Sequence, residues 1–248
     1  MESPFSLKHH WKVKWNNQNN KVHESAMIWN GKIEKDLLPA LANVGVIGHL
    51  QMKHIFLGKG KKSVSKLCST GKLTRHILLR NKEEIPIFTL GPTSEEMLKD
   101  KMPIVEWRTF SIQDILQRLL FFQLINKLRE DKSNISIFPS AYPFVAGIIR
   151  NGRKIHVLVE RGNEKELIHT FKFYPPKEQF IFIKEKLNYG QELDQYMEKC
   201  KVRLTTDNDM KMPFHEMFYR LKNGQWIKES HFITPSYSQK EQVLIKLK

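Results

Sequence analysis

The sequence predicts an α+β protein in which an N-terminal winged helix-turn-helix is followed by an α/β domain. Three observations lead to this prediction. Three short helical patterns and a two-stranded hairpin follow one another between residues 33 and 90. A long part of this stretch carries lysine and arginine but no acidic residue. Beyond residue 102, strand-like apolar runs and helical patterns are combined, which is typical of a sheet covered by helices.

The composition indicates a folded protein that attracts polyanions. The chain has 248 residues, of which 40% are hydrophobic and 27% charged, and a formal net charge of +15. This apolar content excludes a disordered basic tail, and two cysteines are too few for a disulfide framework or a four-cysteine zinc site. No run approaches the ~18 apolar residues of a membrane helix, and residues 1–15 lack the apolar core of a secretory signal. We therefore expect a cytoplasmic protein with no membrane partner.

Residues 1–32 are expected to form an N-terminal arm. Trp11, Trp15 and Trp29 lie among lysine, histidine, asparagine and glutamine, without a sustained period. Such a pattern favours a lead-in segment with at most one short strand. The next segment, 33–102, is the predicted winged-helix domain.

That domain begins with an amphipathic helix. Apolar residues recur at spacings of three and four from Ile33 to Val44, and Gly45 is expected to end the helix. Further short helices are predicted over 49–57 and 61–70, and Gly71 is a plausible stop for the second of them.

A two-stranded hairpin completes the winged-helix pattern. The apolar and β-branched runs at 73–80 and 85–90 are separated by the polar residues 81–84, which predicts two paired strands. A Gly-Pro-Thr-Ser break follows and is expected to cap a short helix over 95–100.

The charge distribution of this domain predicts a DNA-binding surface. No aspartate or glutamate occurs between Asp36 and Glu83, whereas ordinary solvated surfaces mix the two signs of charge. An α-helix fits the major groove, and its lysine and serine side chains can reach phosphates and base edges. The predicted DNA-binding residues are Lys59, Lys61, Lys62, Ser63, Ser65, Lys66, Lys72, Arg75, Arg80 and Lys82.

Lysine and serine dominate this set, so we expect affinity for DNA to exceed sequence discrimination. Lysine binds phosphate as a point charge, whereas arginine reads guanine with a forked geometry. If about 4–6 phosphates are neutralised, the slope of log K against log salt should be about −4 to −5.

Residues 103–248 are predicted to form the α/β domain. Ser111 and Asp114 form a capping-box variant at the start of a long helix that runs to about residue 129. Segments expected to contribute to the sheet follow at 135–138, 146–149, 155–159, 164–168 and 180–183, with a turn at Asn151-Gly152. A helix near 190–200 and a last strand at 202–205 are expected to close the sheet.

One carboxylate of this domain lies where metal-dependent nucleases hold Mg²⁺. Glu160 ends the strand at 155–159, and Mg²⁺ is commonly bound by one or two carboxylates together with substrate phosphates. The preceding hairpin offers no second acid, so a structural ion pair between Glu160 and Arg161 is the alternative reading. Asp207 and Asp209 follow the last strand and could supply further carboxylates, although such positions usually form turns or caps. We predict no bound metal and no cofactor.

Two stretches carry a resemblance to a known family. IPIFTLGPTSEEML (85–98) and SAYPFVAGIIRNGRKIHVLVERGNE (140–164) are similar to the wing-to-helix segment and the acid-Arg-Gly hairpin of the replication-relaxation proteins of plasmids, phages and conjugative elements. The resemblance covers roughly residues 33–206. It implies a winged helix followed by a restriction-endonuclease-like domain.

The chain departs from that family at the acidic positions. Pro139-Ser140 lies where the family tends to have Pro-Asp, and Leu158-Val159-Glu160-Arg161-Gly162 lies where it has Glu-x-Asp-Arg-Gly. Only one acid of the nuclease-like site is left. The resemblance therefore implies a second domain that no longer cuts DNA.

The function expected from these observations is duplex DNA binding by a protein of a mobile genetic element, which regulates transcription or assists plasmid or phage replication or transfer. The alternative is a metal-dependent DNA nuclease that uses Glu160 with Asp207 or Asp209. A third class is an interaction adaptor whose charge serves solubility alone. A homodimer is expected because two half-sites multiply affinity, and replication or transfer proteins are further expected partners.

Overall fold

The computed structural model describes residues 2–16, 21–58, 62–131, 134–188 and 191–229. It confirms an α+β protein, with a first sheet of four strands and a second sheet of seven. The strands are β1 (Trp11–Lys14), β2 (Ile47–Gly48), β3 (Leu73–Arg80), β4 (Glu83–Leu90), β5 (Ile135–Phe138), β6 (Ala146–Arg150), β7 (Arg153–Val159), β8 (Phe180–Lys184), β9 (Val202–Thr206), β10 (Tyr219–Lys222) and β11 (Gln225–Lys228). The helices are α1 (Lys32–Val44), α2 (His49–Met52), α3 (Lys62–Ser69), α4 (Pro92–Leu98), α5 (Ile112–Leu128), α6 (Glu164–Phe173) and α7 (Gln191–Asp194).

The first three helices lie close to their predicted positions. Helix α1 ends at Gly45, whose φ of +96° suits glycine, and a Cβ there would lie 2.5 Å from the ring of Phe110. Helix α2 continues into a π-helical turn over Lys53–Leu57. The predicted helix over 49–57 is therefore continuous, with α-helical geometry in its first part and π-helical geometry in its second. Helix α3 is followed by Gly71, with a φ of +66°.

The first sheet is antiparallel, with the strand order β1-β3-β4-β2. Strands β3 and β4 form the predicted hairpin, but its turn contains only Asn81 and Lys82 because Glu83 pairs with Arg80. Asn81 has a φ of +56°, a conformation that asparagine tolerates. Strand β1 pairs with the last four residues of β3, so the predicted N-terminal arm is part of this sheet.

The second sheet is mixed, with the strand order β11-β10-β9-β8-β7-β6-β5. Strands β5, β6 and β7 are antiparallel, β7, β8 and β9 are parallel, and the last three strands are again antiparallel. Every residue of β8 is buried, as expected for a parallel strand covered on both faces. Residues 164–168, which were expected to contribute to the sheet, instead form the first half of helix α6.

The two faces of the second sheet are covered by different parts of the chain. Val157, Val159 and Ile181 pack in one core with residues of α1 and α5. Leu158 and Phe182 point the other way and pack against α6 and α7, because successive strand residues alternate between faces. The first sheet, together with α1 and α5, therefore lies on one side of the second sheet, and α6 lies on the other side.

Helix α5 packs against both sheets. Its Leu116 and Leu119 share a core with Leu78 of β3, whereas Leu120 and Leu124 share a core with the second sheet. A helix that is apolar around most of its surface is expected to be buried on all sides. Ser111 caps it through the predicted bonds with Asp114. No helix within the described ranges combines the length and the apolar character needed to cross a membrane.

The strand predicted at 202–205 is present as β9, but it is not the last strand of the sheet. Strand β9 is followed by the hairpin β10–β11, which carries Arg220, Lys222, Gln225 and Lys228. Charged residues are common on edge strands, where they discourage pairing with other chains. Because polar and charged residues dominate these two strands, they lack the apolar pattern from which strands were predicted.

Candidate functional site

The outward face of α3 is polar and basic. Leu67 lies on the buried face of the helix, whereas Ser65, Lys66 and Ser69 are exposed. The helix ends where the Thr70 hydroxyl donates to the carbonyl oxygen of Lys66 at 2.8 Å. The core thus fixes which face of α3 is presented to solvent.

Four predicted DNA-binding side chains cannot be placed. Lys59 and Lys61 lie outside the described residues. The backbone of Lys62 and Ser63 forms the first turn of α3, but their side chains are also outside the described part. These four residues remain predictions.

Lys72 has a different role from the predicted one. Its side chain is fully buried, and its Nζ lies 2.6 Å from a carboxylate oxygen of Glu34. It also donates to the carbonyl oxygen of Ile28 at 2.6 Å. An ammonium group held in this way is not available to a DNA phosphate, so we remove Lys72 from the predicted interface.

Arg75 is exposed near the start of β3 and lies beside α3. Burial raises the pKa of the Cys68 thiol on α3, and the positive charge of Arg75 opposes that shift. Arg75 therefore adds an exposed positive charge on the first sheet, close to Cys68 of α3.

The tip of the hairpin is electrostatically mixed. Arg80 forms an ion pair with Glu83 and donates to the carbonyl oxygen of Pro4 at 3.0 Å. Lys82 is exposed, but Glu83 and Glu84 are exposed beside it. Although the stretch of sequence that leads up to Glu83 contains no acids, the surface at the hairpin tip does carry them. Of the two predicted wing cations, Lys82 alone remains unengaged among the described contacts.

The N-terminal segment, residues 2–16, links the hairpin to the second sheet. The backbone N–H of Asn81 donates to the carbonyl oxygen of His10 at 2.8 Å. At its beginning, the hydroxyl of Ser3 donates to the carboxylate of Asp207, which follows β9. The segment is therefore anchored at both ends.

The parallel strands β7, β8 and β9 end in a group of buried charges, which we call the charged end of the second sheet. It comprises Glu160, Arg161, Lys184, Glu185, Asp194 and Asp207, each no more than 8% exposed. Parallel strands bring their carboxyl ends to one edge, where α/β proteins commonly bind ligands. No sequence motif spans these residues, because they come from distant parts of the chain.

Arg161 is paired with Asp207. The ion pair considered from the sequence was instead between Arg161 and Glu160. Its guanidinium group contacts the Asp207 carboxylate and donates to the backbone carbonyl of Glu160 at 2.6 Å. Its Nε has no hydrogen-bond partner among the described residues. Burial raises the pKa of Asp207, and the charge of Arg161 opposes that shift.

Glu160 is buried behind Arg161. Its Oε1 accepts the backbone N–H of Gly162 at 2.8 Å. Burial raises the pKa of Glu160, and the Gly162 hydrogen bond opposes the shift. Ser140, at the position where the resembled family tends to have aspartate, shares a 2.9 Å hydrogen bond with Nδ1 of His156.

Asp209 belongs to a separate set of contacts. Its carboxylate lies 2.6 Å from Nζ of Lys228 and accepts the hydroxyl of Tyr219 at 3.1 Å. Asp207 and Asp209 are thus each bound to a cation. Within the described ranges, no group of three or more His, Cys, Asp or Glu side chains is arranged to hold a metal ion.

Comparisons of the chain with protein-family models, with curated proteins and with solved structures found no match. The site must therefore be interpreted from its own geometry and charge.

Proposed function

We propose that this protein binds duplex DNA through a winged helix built from α1, β2, α2, α3 and the β3–β4 hairpin. The observation that carries the proposal is the exposed polar and basic face of α3, formed by Ser65, Lys66 and Ser69, in a stretch free of acids that also exposes Arg75 on β3. A helix of this width and charge fits the major groove and its phosphates.

The arrangement of the elements supports the proposal. Helix, short strand, two further helices and a hairpin follow in that order, and β2 pairs with β4 at the edge of the hairpin. A helix-turn-helix pair presents its second helix to DNA. Here that helix is α3, whose inner side is held by Leu67 in the core.

The proposed interface is smaller than the predicted one. It keeps four exposed residues whose side chains the structure describes, Ser65, Lys66, Arg75 and Lys82. It also keeps four residues as predictions, Lys59, Lys61, Lys62 and Ser63. It excludes Lys72, and it gives Arg80 a structural role because of its contacts with Glu83 and Pro4.

The second sheet supports a non-catalytic role for the rest of the chain. An antiparallel hairpin leading into parallel strands is compatible with the restriction-endonuclease-like arrangement that the resemblance implies. Two of the four acids of its charged end are ion-paired, Asp207 with Arg161 and Asp194 with Lys184. We propose a role in positioning the DNA-binding unit, in a protein that regulates transcription or assists replication or transfer of a mobile element.

Fluorescence anisotropy with a labelled duplex of about 24 base pairs tests DNA binding. The slope of log K against log salt should be about −4 to −5, and Lys66→Glu with Arg75→Glu should weaken binding by about tenfold or more. The matched control is Lys165→Glu with Lys172→Glu, which makes the same charge change on the exposed face of α6. A slope near zero, or equal losses in the two double variants, would contradict the proposal.

DNA footprinting addresses the biological role. We expect protection of a site in the DNA that flanks the protein's own gene, with two half-sites if the protein binds as a dimer. Uniform weak protection along the fragment would instead indicate binding without sequence preference.

A further inference from the structure

A groove runs along the junction between α1 and β5, the edge strand of the second sheet. Its volume is about 760 Å³. The helical wall carries Lys32 and Lys35, and Arg129 lies at the end of α5 beside them. Asp36 is the one acidic residue among the described residues that line the groove. The groove therefore has an excess of positive charge.

The two lysines of the groove are exposed and free to meet a ligand. Neither Lys32 nor Lys35 has a carboxylate partner among the described ion pairs. They lie three residues apart on α1 and so share one face of that helix. A pair of this kind can bind two neighbouring phosphates without first breaking an ion pair.

Arg129 is held in a fixed position. Its guanidinium group donates to the carbonyl oxygen of Ile55 and lies 5.2 Å from the centre of the Phe56 ring. These contacts join the end of α5 to the π turn after α2. The cation is thus pre-positioned at the groove by two separate elements.

The opposite wall adds polar groups without negative charge. Asn134 and Ser136 of the β5 region and Asn151 of the β6–β7 turn line this side, and all three are exposed. Amide and hydroxyl groups of this kind donate to phosphate oxygens.

The groove adjoins the beginning of α3. Phe56 lines the groove, and Lys62 begins α3 six residues later. The five residue-to-residue steps from Leu57 to Lys62 can span at most about 18 Å, which corresponds to about five base pairs of duplex. The predicted cations Lys59 and Lys61 lie between Leu57 and Lys62 in the sequence. Positive charge therefore continues along the chain from the groove to the proposed DNA-contacting helix.

We propose that this groove binds the phosphate backbone of the same DNA, beyond the segment that α3 contacts. The inference rests on the proposed DNA binding. It adds a second DNA contact, formed by residues of α1 and of the β5 region. Its occupant is the sugar-phosphate backbone, which lysine, arginine and uncharged donors recognise without reading the sequence.

The test compares three double variants on one 24-base-pair duplex, which is about 80 Å long. Lys32→Glu with Lys35→Glu should lower affinity by about tenfold and reduce the magnitude of the salt slope by about 2, since each lost phosphate contact contributes about 0.9. Lys165→Glu with Lys172→Glu controls for the change in net charge. Lys66→Glu with Arg75→Glu reports on α3 itself.

Chemical acetylation of lysines in the wild-type protein, followed by mass spectrometry, gives a second readout. Bound DNA should protect Lys32 and Lys35 as well as Lys66, while Lys165 and Lys172 stay reactive. If Lys66 is protected and the two groove lysines are not, or if the groove variant binds like the α6 control, the groove proposal is overturned while DNA binding stands. If the wild type binds no duplex, the proposed function fails and the groove proposal fails with it.

Discussion

Nζ of Lys72 lies 2.6 Å from Oε2 of Glu34, and both side chains are almost completely removed from solvent. The same carboxylate oxygen accepts the backbone N–H of Asn30 at 2.8 Å, and Lys72 also binds the carbonyl oxygen of Ile28. This network joins the first turn of α1 to the segment before it and to the start of β3. Lys72 thus stabilises the fold that presents α3.

Replacing Lys72 by methionine should destabilise the protein. The change leaves the Glu34 carboxylate buried without its counter-charge, which typically costs about 3–5 kcal/mol of unfolding free energy. Urea denaturation measures this loss. The double variant Lys72→Met with Glu34→Leu should recover most of the stability, because neither charge is then left unpaired. A stable single variant that fails to bind DNA would return Lys72 to the interface.

This lysine also illustrates what a charge run in a sequence can and cannot predict. The stretch between Asp36 and Glu83 contains no acid, but the fold brings Glu34 to Lys72, and the two-residue turn brings Glu83 to Arg80. Both acids lie outside the run. Charge balance on a surface depends on the neighbours that folding supplies. Among the predicted residues whose side chains the structure describes, Ser65, Lys66, Arg75 and Lys82 are exposed.

Local signals predicted the elements well. Helix α1, the β3–β4 hairpin and the Ser111–Asp114 cap were all predicted because periodicity, turn residues and capping depend on residues close in sequence. The charged end of the second sheet was not predicted as a unit. Glu160, Lys184 and Asp207 meet there only because β7, β8 and β9 run parallel, and single-sequence patterns do not contain that pairing.

His76 should make the protein less stable in acid. Its Nδ1 accepts the backbone N–H of Asn16 at 2.8 Å, and its ring packs against Trp15 and Trp107. Burial, with a smaller contribution from the charge of Arg108, lowers the pKa of His76 from 6.5 to about 4. Protonation at Nδ1 would also break the bond to Asn16, so the folded state requires the neutral ring.

The sign of the effect follows from the lowered pKa. Between pH 6.5 and about 4 the unfolded chain binds the proton and the folded chain does not, so the stability contributed by neutral His76 is complete above pH 6.5 and is lost as the pH falls. The loss is about 3 kcal/mol. Urea denaturation of wild type and His76→Gln over this range should give two curves that converge towards low pH. Parallel curves would show that the ring does not couple to folding.

Glu160→Gln should stabilise the protein at neutral pH. Burial raises the pKa of Glu160, so as the pH rises above about 4.5 the unfolded chain loses its proton first and the wild type loses stability. Glutamine keeps an oxygen that can accept the Gly162 N–H, without the buried charge. The gain in unfolding free energy should therefore grow from pH 4.5 to pH 7.

The same variant addresses the nuclease alternative. Plasmid DNA incubated with the protein and Mg²⁺ or Mn²⁺ should show no cleavage that depends on Glu160. Glu166→Gln on the exposed face of α6 controls for the loss of one carboxylate. Cleavage by the wild type that disappears in Glu160→Gln and persists in Glu166→Gln would establish an enzyme.

Asp207 should control the order of the N-terminal segment. It binds Arg161 and accepts the Ser3 hydroxyl, while Leu7 of the same segment lies over Gly162. Asp207→Ala removes both bonds and leaves the Arg161 charge buried, so we expect a loss of about 3–5 kcal/mol. Hydrogen exchange should also become faster in residues 2–14.

Asp209→Ala is the matched control for this effect. Asp209 lies two residues away and binds Lys228 and Tyr219 at the β10–β11 hairpin instead of the N-terminal segment. Its loss should accelerate exchange in that hairpin and leave residues 2–14 protected. Ser3→Ala should act like a weaker Asp207→Ala, because it removes two hydrogen bonds of the hydroxyl, to Asp207 and from the Phe5 N–H, each worth about 1 kcal/mol, and leaves the Arg161 pair intact. Equal protection of the N-terminal segment in all three variants would mean that β1 alone holds it in place, through its pairing with β3.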